Sequence, residues 1–477
     1  MPTSSLDLAL LAERLPASPE TVEDAYPLSP MQAGMLFHTV EDGEGGTGLY
    51  INQMSVDVAG LDTDRFASAW QAAVDRHAVL RTGFIWEGAA DPFQFVLRHA
   101  ELPVREIDWR HLAVTPAMLA ELAAGEQTRG FDLKRPPLMR LLLVRLAGGR
   151  CRMIWTYHHV LIDGWSTSQL VGDVLRHYRG EASEPAGRYR DYIDWLQRQD
   201  AEATRQFWCR RLAALEEPTS LASAMPPGAR GQGHAAIYTR WSQERTAPLV
   251  AFAQRQRITI NTLVQGAWLL LLRRCTGQRT VAFGATVSGR PADLAGAGSM
   301  LGLFINTLPV IQTPHPAQPV GDWLRVLQED NLALREHEHA PLQDINRWAG
   351  QPGRGLFDSI IVFENQPIDR TLRHWDDCTL RFTDAADRGV TNFPMDLMVT
   401  LEAGGLEIEY MFLRSSFDEP GVERLRSHME WLLEQLVADA DRPLGQLGLV
   451  RPAERRWLDG LNARVPAAKD ELPVHRL

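Results

Sequence analysis

The chain has 477 residues, of which 45% are hydrophobic and 23% are charged, as expected for a globular protein large enough for two domains or lobes. Its formal net charge is −11 and its Lys and Arg residues are scattered, so nucleic acid is not an expected partner. The four cysteines form no CxxC pair, residues 1–20 have no basic region followed by an apolar run, and no stretch reaches about 18 apolar residues. We therefore expect a cytoplasmic protein without a membrane segment or a disulfide framework.

The first part of the chain predicts a tail, a helix and a strand in that order. Residues 1–20 are interpreted as a helical tail or linker. Further on, Phe66, Trp70 and Val74 recur at every fourth position, which predicts an amphipathic helix with one buried face. A strand is expected next, near residues 80–86.

Residues 138–160 consist of two apolar runs joined by the sequence AGG, a pattern that predicts a β-hairpin. The second strand of this hairpin delivers His158 and His159 to its end. Apolar residues at helical spacing after Ser166 predict a helix. The segment "YHHVLIDGWS" therefore occupies a strand-to-helix loop, in which a side chain can be held rigidly and still face a cleft.

The second half of the chain has the same mixed character. The stretch "GEASEPAGRY" is rich in small and polar residues and is interpreted as a linker, with a second lobe starting near residue 200. Beyond it, helical and buried-strand patterns alternate, so both halves are predicted to be α/β. His337 and His339 follow a helical pattern and are expected to face solvent. Residues 446–477 are polar and punctuated by proline, as in a connector.

The adjacent histidines of the loop suggest proton-transfer chemistry. Successive strand residues point to opposite faces, so only one of His158 and His159 can address a given substrate atom. A histidine whose pKa is near the reference value of about 6.5 can accept a proton from an attacking nucleophile at neutral pH. Asp163, followed by a tight turn at Gly164, could bind an arginine or cap the next helix. On the motif alone, a pure packing role for the loop stays open.

Other kinds of site find less support in the sequence. A metal site is disfavoured because the adjacent histidines diverge and no third ligand is evident. The sequence contains no GxSxG elbow, no recognisable reactive cysteine and no glycine-rich phosphate loop. A direct transfer, in which the substrate's own amine or hydroxyl attacks with the help of a histidine, requires none of these.

Ordered motifs along the chain carry a family resemblance. They are "YPLSPMQAGMLFH", "RHAVLRTGF", "HHVLIDGWS", "YRDYIDW", "VSGRP", "GLFINTLPV", "HAPL" and "FDSIIVFEN". In this order they resemble the condensation domains of nonribosomal peptide synthetases. The resemblance implies an α/β fold of two chloramphenicol-acetyltransferase-like lobes, which form a V-shaped pseudodimer with a tunnel between them.

The resemblance also implies how the chain is divided. Residues 1–20 would be a tail or a linker from an upstream carrier domain, 21–190 the N-terminal lobe, 191–445 the C-terminal lobe, and 446–477 a connector towards an adenylation domain. The sequence contains no carrier-type GGxS serine. With the connector at its end, the chain is expected to be an excised part of a larger synthetase.

The implied reaction is peptide-bond formation. An upstream aminoacyl or peptidyl thioester would be joined to the amine of a downstream aminoacyl thioester, each held on the phosphopantetheine arm of a carrier protein, in the biosynthesis of a compound such as an antibiotic or a siderophore. No metal and no intrinsically bound cofactor are expected. The intact histidine motif, without a second HH motif before it, favours an L-configured donor and acceptor. Two alternatives stay open: a noncatalytic docking platform for carrier proteins or a tailoring enzyme, and a free-standing CoA-dependent acyltransferase.

The resemblance assigns roles within the active loop. His159, the second histidine of the motif, is the implied catalytic residue, and His158 is its structural neighbour. Asp163 and Gly164 are implied to be structural as well. Asp163 is paired with Arg290 in a bridge that orders the loop.

Further site residues follow with less specific support. Arg76 and Arg81 are rival or additional partners of the loop aspartate. Trp165, Asn306 and Asn365 are candidates for the lining of the tunnel; for Asn365 the alternative is a strand-end turn. The segment "VSGRPADLAGAGSMLGLFINT" is implied to cross between the lobes as the floor of the tunnel, and a latch is implied near "RGVTNFPMD".

Overall fold

The computed structural model describes most of the chain as helices, strands and their connections. The described residues are 18–43, 48–87, 91–182, 186–225, 231–350, 355–364, 380–389, 391–402 and 404–462. Asn365, most of the predicted N-terminal tail and the end of the predicted connector lie outside them.

Strands and helices are mixed along the chain, as predicted for an α/β chain. The strands are β1 (Val22–Pro27), β2 (Ile51–Ala59), β3 (Thr82–Ile85), β4 (Phe93–Leu97), β5 (Val104–Asp108), β6 (Met139–Leu146), β7 (Arg150–His158), β8 (His234–Trp241), β9 (Val281–Val287), β10 (Asn306–Gln312), β11 (Ser359–Glu364), β12 (Arg381–Arg388), β13 (Met395–Glu402) and β14 (Gly405–Leu413). The helices are α1 (Pro30–Asp42), α2 (Thr63–Arg76), α3 (Pro116–Thr128), α4 (Gly164–Arg179), α5 (Tyr189–Gln197), α6 (Ala201–Leu212), α7 (Leu221–Ala224), α8 (Gln243–Gln256), α9 (Ile260–Thr276), α10 (Val320–Arg335), α11 (Leu342–Trp348), α12 (Glu419–Ala438) and α13 (Pro452–Asn462).

The N-terminal lobe is built on a sheet in the order β12-β2-β7-β6-β5 and a smaller sheet in the order β1-β4-β3. The predicted hairpin is formed by β6 and β7, which pair antiparallel. Phe66, Trp70 and Val74, the predicted apolar face of α2, are buried in the core of this lobe with Trp155 of β7. Burial of this helix face against the sheet holds β7, and thereby the histidine loop at its end.

The C-terminal lobe is built on one sheet in the order β10-β9-β11-β13-β14-β8. Strand β11 runs parallel to β9 and β13, whereas the other neighbours are antiparallel. Helix α9 is apolar around most of its circumference, which is typical of a buried helix, and it contacts β9, α8, α10 and α12. The hydroxyl of Thr259 caps the start of α9, and Gly277 ends it with a φ of 73°.

Two segments from the second half of the chain belong to the N-terminal lobe. Strand β12 pairs antiparallel with β2, forms the edge of the N-terminal sheet and leads into the predicted latch, residues 388–396. Sequence reasoning missed this strand because the long-range pairing of a polar strand leaves no local signal. The predicted floor segment also crosses between the lobes and adds to the N-terminal core the side chains of Met300, Leu301, Leu303 and Phe304.

The change from one core to the other occurs between α5 and α6. Tyr189 and Tyr192 of α5 are buried in the N-terminal core, whereas Trp208 of α6 is buried in the C-terminal core. Both tyrosine rings contact the ring of Phe304 in the floor segment. This packing moves the boundary between the lobes to residues 198–200, later than the 190/191 of the sequence analysis.

The start of the predicted connector is packed on the C-terminal lobe. Leu447 is buried in the core of this lobe, and the Gln435 side-chain amide of α12 donates to the Gly448 carbonyl oxygen at 2.7 Å. Helix α13 follows, with an exposed Trp457. The lobe therefore extends beyond residue 445, where the sequence analysis ended it.

Two local predictions are corrected. A 3-10 helix at Ala78–Arg81 replaces the first part of the strand predicted near residues 80–86. His337 and His339 are half-buried instead of facing solvent, because α10 ends before them and both rings contact the Thr204 hydroxyl of α6, at 3.4 and 2.9 Å.

No helix among the described residues is long and apolar enough to cross a membrane. In the same part of the chain, no three His, Cys, Asp or Glu side chains are grouped as metal ligands. Cys151, Cys209 and Cys275 are free thiols.

Candidate active site

The histidine loop connects β7 to α4, as the sequence predicts. At its start, the backbone N–H of His159 donates to the Tyr50 carbonyl oxygen at 2.8 Å, which continues the pairing of β7 with the chain that enters β2. At its end, the Asp163 carboxylate accepts the Ser166 N–H at 2.8 Å and caps α4. The loop is therefore anchored at both ends by hydrogen bonds from the backbone.

His158 is 1% exposed, and both of its ring nitrogens have partners. The Val160 N–H donates to Nδ1 at 3.1 Å, so this nitrogen carries no hydrogen and Nε2 must carry it. Nε2 lies 3.3 Å from the hydroxyl oxygen of Thr39. Burial, with a smaller effect of neighbouring His159, lowers the pKa of His158 from 6.5 to about 3, so the ring is neutral at physiological pH.

His159 is half-buried, and its Nδ1 lies 2.7 Å from the Ile162 carbonyl oxygen. A carbonyl oxygen only accepts hydrogen bonds, so Nδ1 carries the hydrogen. In the neutral ring, Nε2 is then left with the lone pair that can accept a proton or a hydrogen bond. The loop's own backbone thus selects the tautomer of His159, as a hydrogen bond to the second nitrogen commonly does for functional histidines.

The predicted bridge between Asp163 and Arg290 is present within a larger network. Asp163 is fully buried; its Oδ2 accepts the Phe304 N–H at 3.0 Å, and its Oδ1 accepts the Ser166 N–H as well as Arg290 Nη2, the latter at 3.3 Å. Burial lowers the pKa of Arg290, and attraction to Asp163 opposes this shift. The bridge joins the histidine loop to the floor segment.

Arg290 also forms hydrogen bonds within the floor segment, to which it belongs. Its guanidinium donates to the carbonyl oxygens of Ala297 at 2.6 Å and Met300 at 2.9 Å, and to the Ser166 hydroxyl at 2.7 Å. The rival partners of Asp163 are engaged elsewhere: Arg76 pairs with Asp173 and Arg81 with Glu23.

Residues 22–458 match the family model described as the condensation domain. The chain belongs to the condensation domain family. It is 40% identical over 471 residues to one of the linear gramicidin synthase proteins of Brevibacillus parabrevis, a match that covers 96% of this chain and 6% of the relative. Surfactin synthase subunit 3 of Bacillus subtilis (strain 168) is 32% identical over 458 residues, covering 93% of this chain and 35% of the relative. The condensation domain thus spans a minor part of the length of these relatives.

Solved structures have the same fold. A four-domain nonribosomal peptide synthetase bound to AMP and glycine matches with a TM-score of 0.75 at 18% identity, covering 91% of this chain and 34% of that chain. The first condensation domain of the calcium-dependent antibiotic synthetase, in complex with a substrate analogue, matches with a TM-score of 0.71 at 18% identity, covering 89% and 98%. The chain is accordingly a V-shaped pseudodimer of two chloramphenicol-acetyltransferase-like α/β lobes with a tunnel between them, as predicted.

Gly164 and Trp165 of this condensation domain lie where the active loop meets the other lobe. Gly164 begins α4 and makes no tight turn, since its φ is outside the left-handed region. A Cβ at this position would lie 3.8 Å from Glu364 Oε1 of β11, so Gly164 faces the C-terminal lobe. The indole Nε1 of half-buried Trp165 donates to the Gly298 carbonyl oxygen at 3.2 Å. Trp165 therefore holds the floor segment.

Asn306 contacts backbone rather than open space. Its side chain is 7% exposed, and its amide nitrogen donates to the carbonyl oxygens of Glu338 and Ala340, both at 2.7 Å. Its own Oδ1 accepts the Thr307 N–H at 2.9 Å. With both parts of the amide engaged, Asn306 holds the segment after α10 in place, and its position in the tunnel lining stays a prediction.

Sequence reasoning missed several residues that hold the active loop. The Ser166 hydroxyl donates to the Gly302 carbonyl oxygen at 2.8 Å and accepts the Gly302 N–H at 3.1 Å. The Tyr189 hydroxyl donates to the Leu303 carbonyl oxygen at 2.6 Å. Gln32 of α1 donates to the Val160 carbonyl oxygen at 3.3 Å. Each lies within a quoted motif, but its partner is distant in sequence.

Proposed function

We propose that this condensation domain forms a peptide bond between an upstream aminoacyl or peptidyl thioester and the amine of a downstream aminoacyl thioester. The observation that carries the proposal is the orientation of His159. Its Nδ1–H is held by the Ile162 carbonyl oxygen, so Nε2 keeps a lone pair in a half-buried position. A group of this kind is needed beside an amine that must lose a proton during attack.

The proposed reaction is a direct transfer. The amine nitrogen attacks the thioester carbonyl carbon, the new C–N bond forms as the C–S bond breaks, and the proton lost by the amine balances the thiol that leaves. His159 Nε2 either takes this proton or accepts a hydrogen bond from the amine, and both roles require the same lone pair. Holding two tethered reactants in one tunnel supplies much of the remaining acceleration, because it replaces a bimolecular encounter.

The proposed partners are an upstream donor carrier, a downstream acceptor carrier and an adjacent adenylation domain. The substrates would arrive on phosphopantetheine arms, and both would be L-configured. The proposal of these partners is supported by the relatives, which are named as subunits of gramicidin and surfactin synthases and are far longer than this chain, and by the match to a four-domain nonribosomal peptide synthetase. We also propose a cytoplasmic location, which the free thiols among the described residues support.

The experiment is a single-turnover assay with two loaded carriers, in which the dipeptidyl thioester is detected by intact-protein mass spectrometry. We expect product with the wild type and a roughly 10²–10⁴-fold slower reaction with His159→Ala. Carrier affinity and thermal melting should stay near wild type, because the hydrogen bond of the His159 ring is made within its own loop. His99→Ala is the matched control, since His99 is an exposed histidine of the same lobe that pairs with Asp75.

Two results would contradict peptide-bond formation between carrier-bound substrates. If no competent pair of loaded carriers gives a product, the docking platform is favoured. If free acyl-CoA is used rapidly without any carrier, the free-standing acyltransferase is favoured. A His159→Ala variant that condenses at the wild-type rate would instead show that positioning alone drives the reaction.

A further inference from the structure

Tyr50 occupies a backbone conformation that a tyrosine rarely adopts. It is the third residue of the turn formed by residues 48–51, which is closed by the Ile51 N–H donating to the Gly48 carbonyl oxygen at 3.1 Å. Its φ is 60°, in the left-handed region, where glycine is favoured because it has no Cβ. Such a conformation costs free energy and persists only where the surroundings hold it. The contacts of Tyr50 must therefore offset that cost.

The first contact of Tyr50 is to the histidine loop. The Tyr50 carbonyl oxygen accepts the backbone N–H of His159 at 2.8 Å, one residue beyond the pairing of Ile51 with His158. The left-handed turn directs this carbonyl oxygen to the loop. Tyr50 thus contacts the backbone of the residue whose side chain is proposed to serve the amine.

The second contact is to the latch, which leads from β12 of the N-terminal sheet to β13 of the C-terminal sheet. Tyr50 is 6% exposed, and its hydroxyl donates to Asn392 Oδ1 at 3.0 Å. Burial, and to a lesser degree the charge of Asp396, raise the pKa of Tyr50, so the phenol stays protonated and acts as the donor. Asn392 lies in the predicted latch, between β12 and β13.

The latch is tied to its own lobe at the adjacent residue. The Thr391 hydroxyl lies 2.9 and 2.8 Å from the two carboxylate oxygens of buried Asp396 on β13. Asn392 Nδ2 also lies 3.3 Å from His38 Nε2 of α1. Neighbouring latch residues therefore hold opposite lobes, and Tyr50 connects this junction to His159.

We propose that Tyr50 is a positioning residue for His159, which transmits the position of the C-terminal lobe to the active loop. Its carbonyl oxygen holds the His159 backbone, and its hydroxyl holds the latch. Displacement of the latch relative to the N-terminal lobe would move the turn and, with it, His159. The inference deepens the proposed function and rests on His159 as the active histidine.

The test is a double-mutant cycle. Tyr50→Phe removes only the hydroxyl, and we expect the single-turnover rate to fall about 10-fold, the loss corresponding to one hydrogen bond to the latch. In the His159→Ala background the same substitution should change the rate by less than about 2-fold, because Tyr50 acts through His159. Asn392→Ala should reproduce the effect and should not add to that of Tyr50→Phe. The control is Tyr238→Phe, which removes an exposed hydrogen bond from the Tyr238 hydroxyl to Glu409 on the sheet of the C-terminal lobe.

Two further readouts separate positioning from general stability. In Tyr50→Phe, the condensation rate at saturating loaded carrier should fall. The carrier concentration that gives half of this maximal rate should stay at the wild-type value. Hydrogen exchange of residues 157–162 should become faster in Tyr50→Phe and not in Tyr238→Phe.

The outcomes distinguish the two proposals. Equal losses in both histidine backgrounds, or unchanged rate and exchange in Tyr50→Phe, would overturn the role of Tyr50 while leaving peptide-bond formation standing. A wild type that yields no dipeptide would overturn the proposed function. In that case, the exchange comparison still decides whether the Tyr50 hydroxyl holds the His159 loop.

Discussion

Replacing Asp163 with asparagine keeps the size of the side chain and removes its charge. Each group that contacts the Asp163 carboxylate through these bonds is a hydrogen-bond donor. The Ser166 N–H and the Arg290 guanidinium donate to Oδ1, and the Phe304 N–H donates to Oδ2. An asparagine must direct its NH2 group towards one of these positions. Whichever way the amide is turned, one buried donor therefore faces another donor.

The magnitude follows from the contacts that are lost. A buried N–H without an acceptor costs about 1–3 kcal/mol, and a hydrogen bond to a charged group contributes about 1.5–3 kcal/mol. Arg290 keeps the carbonyl oxygens of Ala297 and Met300 and the Ser166 hydroxyl, so its charge is not left without acceptors. We therefore expect Asp163→Asn to lower the free energy of unfolding by about 3 kcal/mol, near the lower end of the range for breaking a buried pair.

Urea unfolding followed by circular dichroism measures this loss. Asp108→Asn is the matched control, because Asp108 forms an exposed ion pair with Arg110 in the same lobe and its removal should leave the unfolding midpoint unchanged. The condensation rate should fall as well, since the network holds the loop that carries His159. An Asp163→Asn variant that unfolds at the wild-type urea concentration would refute the assignment of this network as the anchor of the loop.

Two further predictions concern pH and glycine. Burial lowers the pKa of His158 from 6.5 to about 3. Between these two pH values the unfolded chain binds a proton that the folded chain does not, so the free energy of unfolding must fall as the pH is lowered from 6.5 towards 3. His158→Gln should flatten this dependence in urea midpoints measured at several pH values, and an unchanged slope would contradict it. Gly289 has a φ of 59°, and a Cβ there would overlap the Phe304 carbonyl oxygen, so Gly289→Ala should lower the melting temperature strongly. Gly164→Ala should melt like the wild type, because its Cβ would make one ordinary contact at 3.8 Å; equal melting of both variants would count against this reading.

The histidine loop could be predicted because its signals are local. The hairpin of β6 and β7 has two apolar runs and a glycine turn, α4 has periodic apolar residues, and Asp163 stands at the position that a helix cap requires. The divergence of His158 and His159 follows from the alternation of side chains along a strand. The family resemblance then supplied Arg290 as the partner of Asp163.

The contacts that join the lobes could not be predicted in the same way. Strand β12 is polar and pairs with a strand more than three hundred residues earlier, as its register with β2 shows. Tyr50 and Asn392 have no pattern that links them, and a left-handed φ at a tyrosine is contrary to local preference. The backbone contacts of Asn306 could not be predicted either, because a buried amide that holds backbone has the same sequence appearance as one that lines a tunnel.

The pairing of β12 with β2 has a consequence for the synthesis of the chain. Strand β2 emerges from the ribosome early, but its partner on one side emerges only after α11 and β11 have been made. At about 5–20 residues per second, the ribosome leaves this strand edge open for tens of seconds. An open strand edge is a template for pairing with another chain. If the chain were cut between α5 and α6, the edge of β2 in the N-terminal half would stay open permanently. The N-terminal half expressed by itself should therefore aggregate, and co-expression with the C-terminal half should restore a soluble complex.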